Sequence, residues 1–234
     1  DKKIPIVEIF GPTIQGEGPL IGKSTYFIRT GGCNLRCAWC DTMYAVDPIQ
    51  VKQNAIKLST AEILKGLKAC GGFAKWVTIT GGEPCMWNLT DLVCKLQEEG
   101  FWVAVETSGT IWGTWLDLCD KIIVSPKGPS SEMLDKLNKD VLTQLQRLDN
   151  VAIKIVIFTE EDLDFAEEMM KLFGNYIYLT PGTPNLGNAP RSTTNEILFK
   201  YRELVEATFK REAFKNVTIL PQMHVLLWGH RRGV

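Results

Sequence analysis

The sequence predicts an α/β fold, a partial (incomplete) βα barrel of about six parallel strands. Three observations carry this. Short β-branched or aromatic runs alternate with amphipathic stretches along nearly the whole chain. The strand runs are almost continuously apolar, as strands covered on both faces are. Six βα units also fall two short of a full eight-fold barrel. A doubly wound sheet is the runner-up that the same alternation permits.

The first strand is read at 25–29. Ser59, with Glu62 three residues on, has capping-box spacing and opens a helix to about Lys68, with Ile63, Leu64 and Leu67 on one face. Residues 76–80 form the second strand, and the helix over 90–99 stops at Gly100, a residue free to leave the helical conformation. A third strand spans 101–106, with a short helix around Trp115. A fourth spans 121–125, with a helix around 141–148. The apolar run 151–158 is the most continuous strand of all. Its helix begins at Thr159 with Asp162 three residues later, presents Leu163, Ala166, Met170 and Phe173 on one face, and ends at Gly174. A sixth strand at 176–180, a long helix over about 193–210 and a final strand near 217–220 complete the pattern. Residues 181–190, rich in Pro, Gly and Asn, read as a long loop, and the shape of the insert 43–58 is not readable. Taken alone, 8–18 reads as a turn-rich hairpin. No repeat or linker divides the chain, so one domain over 1–234 is expected.

At 234 residues such a chain buries roughly 70% of its unfolded surface and needs no disulfide or metal staple. Lys and Arg number 26 against 27 Asp and Glu, which gives no basic excess for binding nucleic acid or a membrane surface. No run reaches the length of a membrane span, and no signal-peptide pattern follows Lys2 and Lys3. The expectation is a soluble, cytoplasmic protein with neither a nucleic-acid nor a membrane partner. Polar residues at the strand ends (80–84, 106–110 and 125–127) imply a shared pocket, because ligand sites in parallel α/β folds form at the carboxyl ends of strands.

Seven cysteines form an odd set unlike a disulfide framework, and three of them, Cys33, Cys37 and Cys40, crowd into eight residues. Cys70, Cys85, Cys94 and Cys119 read as small apolar residues. The three thiolates can converge on one metal centre. Structural zinc normally takes four ligands, and neither His224 nor His230 is near in sequence, though either could fold back. A cubane iron–sulfur cluster ordinarily takes four cysteines, so three leave one iron open to a ligand.

Cys-x3-Cys-x2-Cys, in a loop after the first strand of a βα series, resembles the cluster motif of the radical S-adenosylmethionine enzymes. The resemblance implies that Cys33, Cys37 and Cys40 hold a 4Fe–4S cluster. Its open iron would chelate S-adenosylmethionine, and one electron would yield the 5′-deoxyadenosyl radical. It also implies cofactor contacts from Trp39, Asp41, Gly82, Glu83, Ser108, Ser125, Pro126 and Lys127. The stretch 8–18, ahead of 27–30 and the cysteine loop, resembles more narrowly the family of 7-carboxy-7-deazaguanine synthases. That likeness runs over 6–234 and includes 81–84, 106–110, 125–127, 154–156 and 221–229.

Membership would imply conversion of 6-carboxy-5,6,7,8-tetrahydropterin to 7-carboxy-7-deazaguanine with loss of ammonia, on a path to queuosine or other deazapurines. It would imply a magnesium ion at Thr42 and a substrate pocket of Ile14, Gln15, Gly16, Glu17, Arg29, Thr80, His224 and Val234. In that pocket Glu17 suits a guanidine-like pterin edge and Arg29 a carboxylate. A reductase such as flavodoxin or ferredoxin and a homodimer are implied as well. The rivals are an activating enzyme for a glycyl-radical partner, which shares the cysteine spacing, and a non-catalytic zinc or iron–sulfur module. A dinucleotide-binding oxidoreductase lacks its glycine fingerprint here.

Overall fold

The computed structural model describes residues 2–174, 176–183 and 194–234. One nine-stranded sheet runs through it in the order β3-β1-β2-β4-β5-β6-β7-β8-β9. Seven strands are mutually parallel: β2 (Ser24–Thr30), β4 (Trp76–Gly81), β5 (Trp102–Thr107), β6 (Lys121–Val124), β7 (Val151–Ile157), β8 (Ile177–Pro181) and β9 (Thr218–Ile219). They lie in chain order with no switch point, which excludes the doubly wound alternative. The terminal strands β3 and β9 do not pair with each other, so the barrel stays open.

Two antiparallel strands extend the sheet at its β2 edge and were not expected. β1 (Ile4–Ile14) pairs with β2, and β3 (Ile56–Leu58) pairs with β1. The stretch expected as a turn-rich hairpin is thus mostly strand. Two register shifts, between Ile6 and Glu8 and between Phe10 and Thr13, interrupt the period-two pattern that would have revealed it. The insert contains α1 (Met43–Val46), α2 (Pro48–Asn54) and β3. The expected helix near Trp115 is only a 3-10 turn over Leu116–Leu118. Of the expected 181–190 loop, residues 184–190 lie outside the described residues, as does position 193 of the last long helix.

The remaining helices are α3 (Thr60–Ala69), α4 (Thr90–Glu98), α5 (Lys139–Leu145), α6 (Glu160–Phe173), α7 (Thr194–Thr208) and α8 (Met223–Trp228). Both capping boxes form, Ser59 with Glu62 and Thr159 with Asp162. Side chains alternate across each strand, and the two faces do different work. Val77, Ile79, Val103, Val105, Ile122, Val124, Ile153 and Ile155 face the helices and build the main core. On the inner face a lower layer of Leu20, Ala104 and Ile123 plugs the barrel. The next inner positions up, Thr80, Glu106, Ser125 and Lys154, line a cavity.

Asp162 does more than cap α6. It is fully buried, and it accepts hydrogen bonds from the backbone N–H groups of Ser130, Phe158 and Thr159 at 3.0, 2.9 and 3.1 Å. It thereby ties the start of α6 to the turn after β6. Asp162→Ala, which orphans those donors, is expected to lower stability by about 3 kcal/mol. A urea unfolding curve checks this, and a loss below about 1 kcal/mol would make the three bonds dispensable.

Candidate active site

A cavity of about 400 Å³ opens at the carboxyl ends of the parallel strands. The loop after β2 brings Cys33, Cys37 and Cys40 to it, all three half-buried and free of disulfides. Burial pushes the Cys33 thiol up to about 11 and raises Cys37 despite the nearby Lys127 ammonium. Bound iron would therefore have to favour the thiolates. Among the described residues, no three His, Cys, Asp or Glu side chains converge on a point that would suit a single metal ion. A cubane instead takes one cysteine per iron at separate corners, and three free thiols facing one cavity fit that group. The other four cysteines also carry no disulfide.

Around this loop, Trp39 donates from Nε1 to Ser130 Oγ at 3.0 Å, packs on Phe158 at 5.2 Å and lies 5.4 Å from Lys127 Nζ. Asp41, Thr42, Gly82, Ser108, Ser125 and Lys127 line the cavity as well. Thr42 Oγ1 stands 3.7 Å from Cys40 Sγ. Gly82 has a structural reason to be glycine: a Cβ there would lie 2.1 Å from the Gly32 carbonyl oxygen.

Two of the expected cofactor contacts are not among the residues that line the cavity. Pro126 is buried and does not line the cavity. Glu83 is 0% exposed and sits behind the wall, because its carboxylate accepts from Cys85 N, Thr107 Oγ1, Ser108 N and Ser108 Oγ. It braces the loops that follow β4 and β5 from within.

Ile14, Gln15, Gly16, Glu17, Arg29, Thr80, His224 and Val234 all line the same cavity. Their internal bonds sort them. Gln15 is 3% exposed, donates to Glu106 Oε1 at 3.0 Å and accepts from Glu17 N at 3.3 Å, so its amide is held by the protein. Thr80 Oγ1 donates to Glu106 Oε2 at 3.1 Å. Gly16 must lack a side chain, because a Cβ would fall 2.1 Å from His224 Nδ1. Glu17 pairs with Lys154 Nζ and accepts from Gln222 Nε2 at 2.6 Å. Burial opposes ionisation of Glu17, but the Lys154 ammonium, helped by His224 and Gln222, holds its carboxyl down at about 2. Burial likewise opposes the charge on Lys154, and Glu17 and Glu106 hold it above the usual lysine range.

On a second wall, the register shift in β1 sets Glu8 opposite Arg29. Arg29 Nε donates to Glu8 Oε1 at 2.6 Å, and Tyr44 Oη donates to the same oxygen at 2.9 Å. Among the described residues only Nε of Arg29 meets an acceptor, which leaves the bidentate edge of its guanidinium available. Glu106 was expected in a shared pocket as a strand-end residue, but sequence reasoning missed Glu8, Tyr44, Lys154, Gln222 and Arg232 as cavity residues. The one available signal was Lys154, a charge inside an otherwise apolar strand.

The open parallel sheet and the three-cysteine loop define a class. The chain belongs to the radical SAM superfamily, whose sequence profile matches residues 27–159. The fold also resembles the crystal structure of QueE from Escherichia coli, with a TM-score of 0.70 and 26% identity over 95% of each chain. Within that class the chain belongs to the 7-carboxy-7-deazaguanine synthases. It is 40% identical to the enzyme of that name from Bacillus subtilis, over 100% of this chain and 99% of the relative. It is 36% identical to that from Bacillus cereus, over 99% of each. No helix among the described residues is long and apolar enough to cross a membrane.

Glu17 and Lys154 are a buried pair, so removing one partner strands the other. Glu17→Gln and Lys154→Met are each expected to cost about 3–5 kcal/mol, and the double variant less than their sum. Because folding lowers the Glu17 pKa from 4.5 to about 2, its contribution is complete above pH 4.5 and fades as pH falls towards 2. Unfolding curves of the wild type and Glu17→Gln between pH 2.5 and 7 check this. A difference that does not shrink on acidification would contradict it.

Proposed function

We propose that this chain converts 6-carboxy-5,6,7,8-tetrahydropterin to 7-carboxy-7-deazaguanine with release of ammonia. The observation that carries the reading is the polarity of the cavity beside the cysteine loop. One wall carries Glu17 and Glu106 around a single ammonium, Lys154, with one negative charge in excess. The other carries Arg29 and Arg232 beside the Glu8 carboxylate, with Asp41 also acting on Arg29. A ligand with a guanidine-like donor edge and a carboxylate matches both walls in one orientation.

In this reading Arg29 takes the substrate carboxylate with its unused terminal nitrogens, a planar fork suited to that group. Glu17, held ionised by Lys154, accepts from the donor edge, and His224, Ile14 and the backbone at Gly16 close round the ring. Val234 contacts it from the segment after α8. Cys33, Cys37 and Cys40 hold the 4Fe–4S cluster, and Trp39, Asp41, Gly82, Ser108, Ser125 and Lys127 hold S-adenosylmethionine. When bound, these two supply the 5′-deoxyadenosyl radical that opens the reaction. The Thr42 hydroxyl is the protein ligand of a magnesium ion, a hard cation that takes oxygen donors. A flavodoxin or ferredoxin delivers the electron, and the working form is a homodimer.

The test is anaerobic reconstitution and reduction with S-adenosylmethionine, magnesium and the carboxytetrahydropterin. Deazaguanine product with near-catalytic use of S-adenosylmethionine is expected. Cys37→Ala should lose the cluster, read as iron and acid-labile sulfide, together with all turnover. Arg29→Ala should keep the cluster and lose turnover, so a normal rate in that variant removes Arg29 from the pocket. Cluster-loaded protein that cleaves S-adenosylmethionine without converting the pterin would refute the substrate assignment alone. One zinc and no sulfide would refute the radical reading.

A further inference from the structure

We propose that Arg232 is a second binding residue for the ligand carboxylate, completing with Arg29 a two-guanidinium clamp. The inference rests on the substrate reading above and extends it to a residue of the basic segment after α8. Glu8 marks where the clamp closes. Its Oε1 accepts from Arg29 Nε at 2.6 Å, and its Oε2 faces Arg232 Nη2 at 3.5 Å. The second contact is well beyond the 2.7–2.9 Å of a firm charge-assisted bond, so Glu8 does not hold Arg232 tightly.

What seats Arg232 is the ring of Tyr44, whose centroid lies 3.5 Å from the guanidinium carbon. A guanidinium stacked on a ring keeps its N–H groups in its own plane, where they remain free to donate sideways. The Tyr44 hydroxyl is itself fastened to Glu8, and Arg29 lies 5.9 Å from the same ring. Both guanidinium groups, the tyrosine and Glu8 line the cavity.

The two arginines differ in setting as an anchor and a closing arm would. The Arg29 side chain is 15% exposed and stands on a strand of the sheet, whereas that of Arg232 is 52% exposed and comes from the segment covering the cavity. Both guanidinium groups meet Glu8 through one nitrogen each, which leaves further N–H groups of the pair to take a ligand carboxylate. Recognition would then favour ligands that carry it over the same ring without it.

The experiment measures equilibrium binding of two pterins to the reconstituted holoenzyme with S-adenosylmethionine: 6-carboxytetrahydropterin, and tetrahydropterin lacking the carboxylate. Wild type should prefer the first. Arg232→Met, which keeps an unbranched stem, should weaken the carboxylated ligand roughly ten-fold and leave the other within two-fold. Arg232→Lys should fall between, because it keeps the charge but not the fork. Arg232→Met that weakens both ligands equally, or neither, overturns the proposal while a wild-type preference leaves the substrate reading standing. A wild type without preference overturns the substrate reading itself. Melting curves of the variants accompany the titrations, and equal loss for both pterins in a destabilised variant counts against the clamp.

Discussion

One buried ammonium organises the cavity. Lys154 stands on β7 in an otherwise apolar run, between Glu17 from the segment after β1 and Glu106 at the end of β5. Without it, two carboxylates would face each other in a place where water cannot screen them. With it, Glu17 stays ionised and its direction is set, and Gln222 carries the connection on to the start of α8. Buried ion pairs of this kind are poor sources of net stability, since desolvation offsets most of the attraction. Apolar residues of the same volume would fold the barrel as well. The pair is better explained by what it does for the wall: a carboxylate that cannot neutralise or rotate is a more selective acceptor than a free one.

The alternation of each parallel strand then separates stability from chemistry. Outward residues such as Ile79, Val105 and Ile153 are sealed beneath helices and supply the apolar burial. Inward residues two positions apart change from Ala104 to Glu106 on β5, and from Ile123 to Ser125 along β6 and just beyond its end. The barrel is thus closed by apolar packing at the bottom and polar at the top. Because the sheet is open, its second polar wall comes from the antiparallel β1–β2 pair, and the segment after α8 covers what remains. This is how a wall of carboxylates and a wall of guanidinium groups can face one cavity without competing for the same strands.

The parts of this structure that are local in sequence were legible. Ser59 with Glu62, Thr159 with Asp162, and Gly100 are signals complete within a few residues, and each produced its helix end. The cysteine loop was legible for the same reason. β1 was not, because its register shifts break the two-residue period, and its partners could be known only once β2 and β3 were placed. The charged residues of the cavity follow the same division. Gln15, Glu17 and Arg29 could be named through a resemblance, but not the fact that Gln15 is bound internally by Glu106, 91 residues away. Glu8, Tyr44 and Arg232 come from three distant segments, and nothing local distinguishes any of them from surface charge or packing.

Glu83 shows how a signature residue can serve the frame of a site. Its carboxylate receives four protein donors from three residues, and no cation pairs with it among the described residues. Burying that polar group is tolerable only because its donors are held in place by two adjacent loops. The bonds run in the other direction too: they hold Thr107 and Ser108 at the cavity edge, and Ser108 Oγ lies 2.8 Å from Thr110 Oγ1, which accepts from Asn34 in the cysteine loop. A chain of polar contacts therefore leads from a buried carboxylate to the loop that carries the thiols. A residue chosen only to meet a ligand could be exchanged when the ligand changed. One that sets the spacing between β4, β5 and the cysteine loop is constrained by the frame itself, whatever molecule the cavity takes.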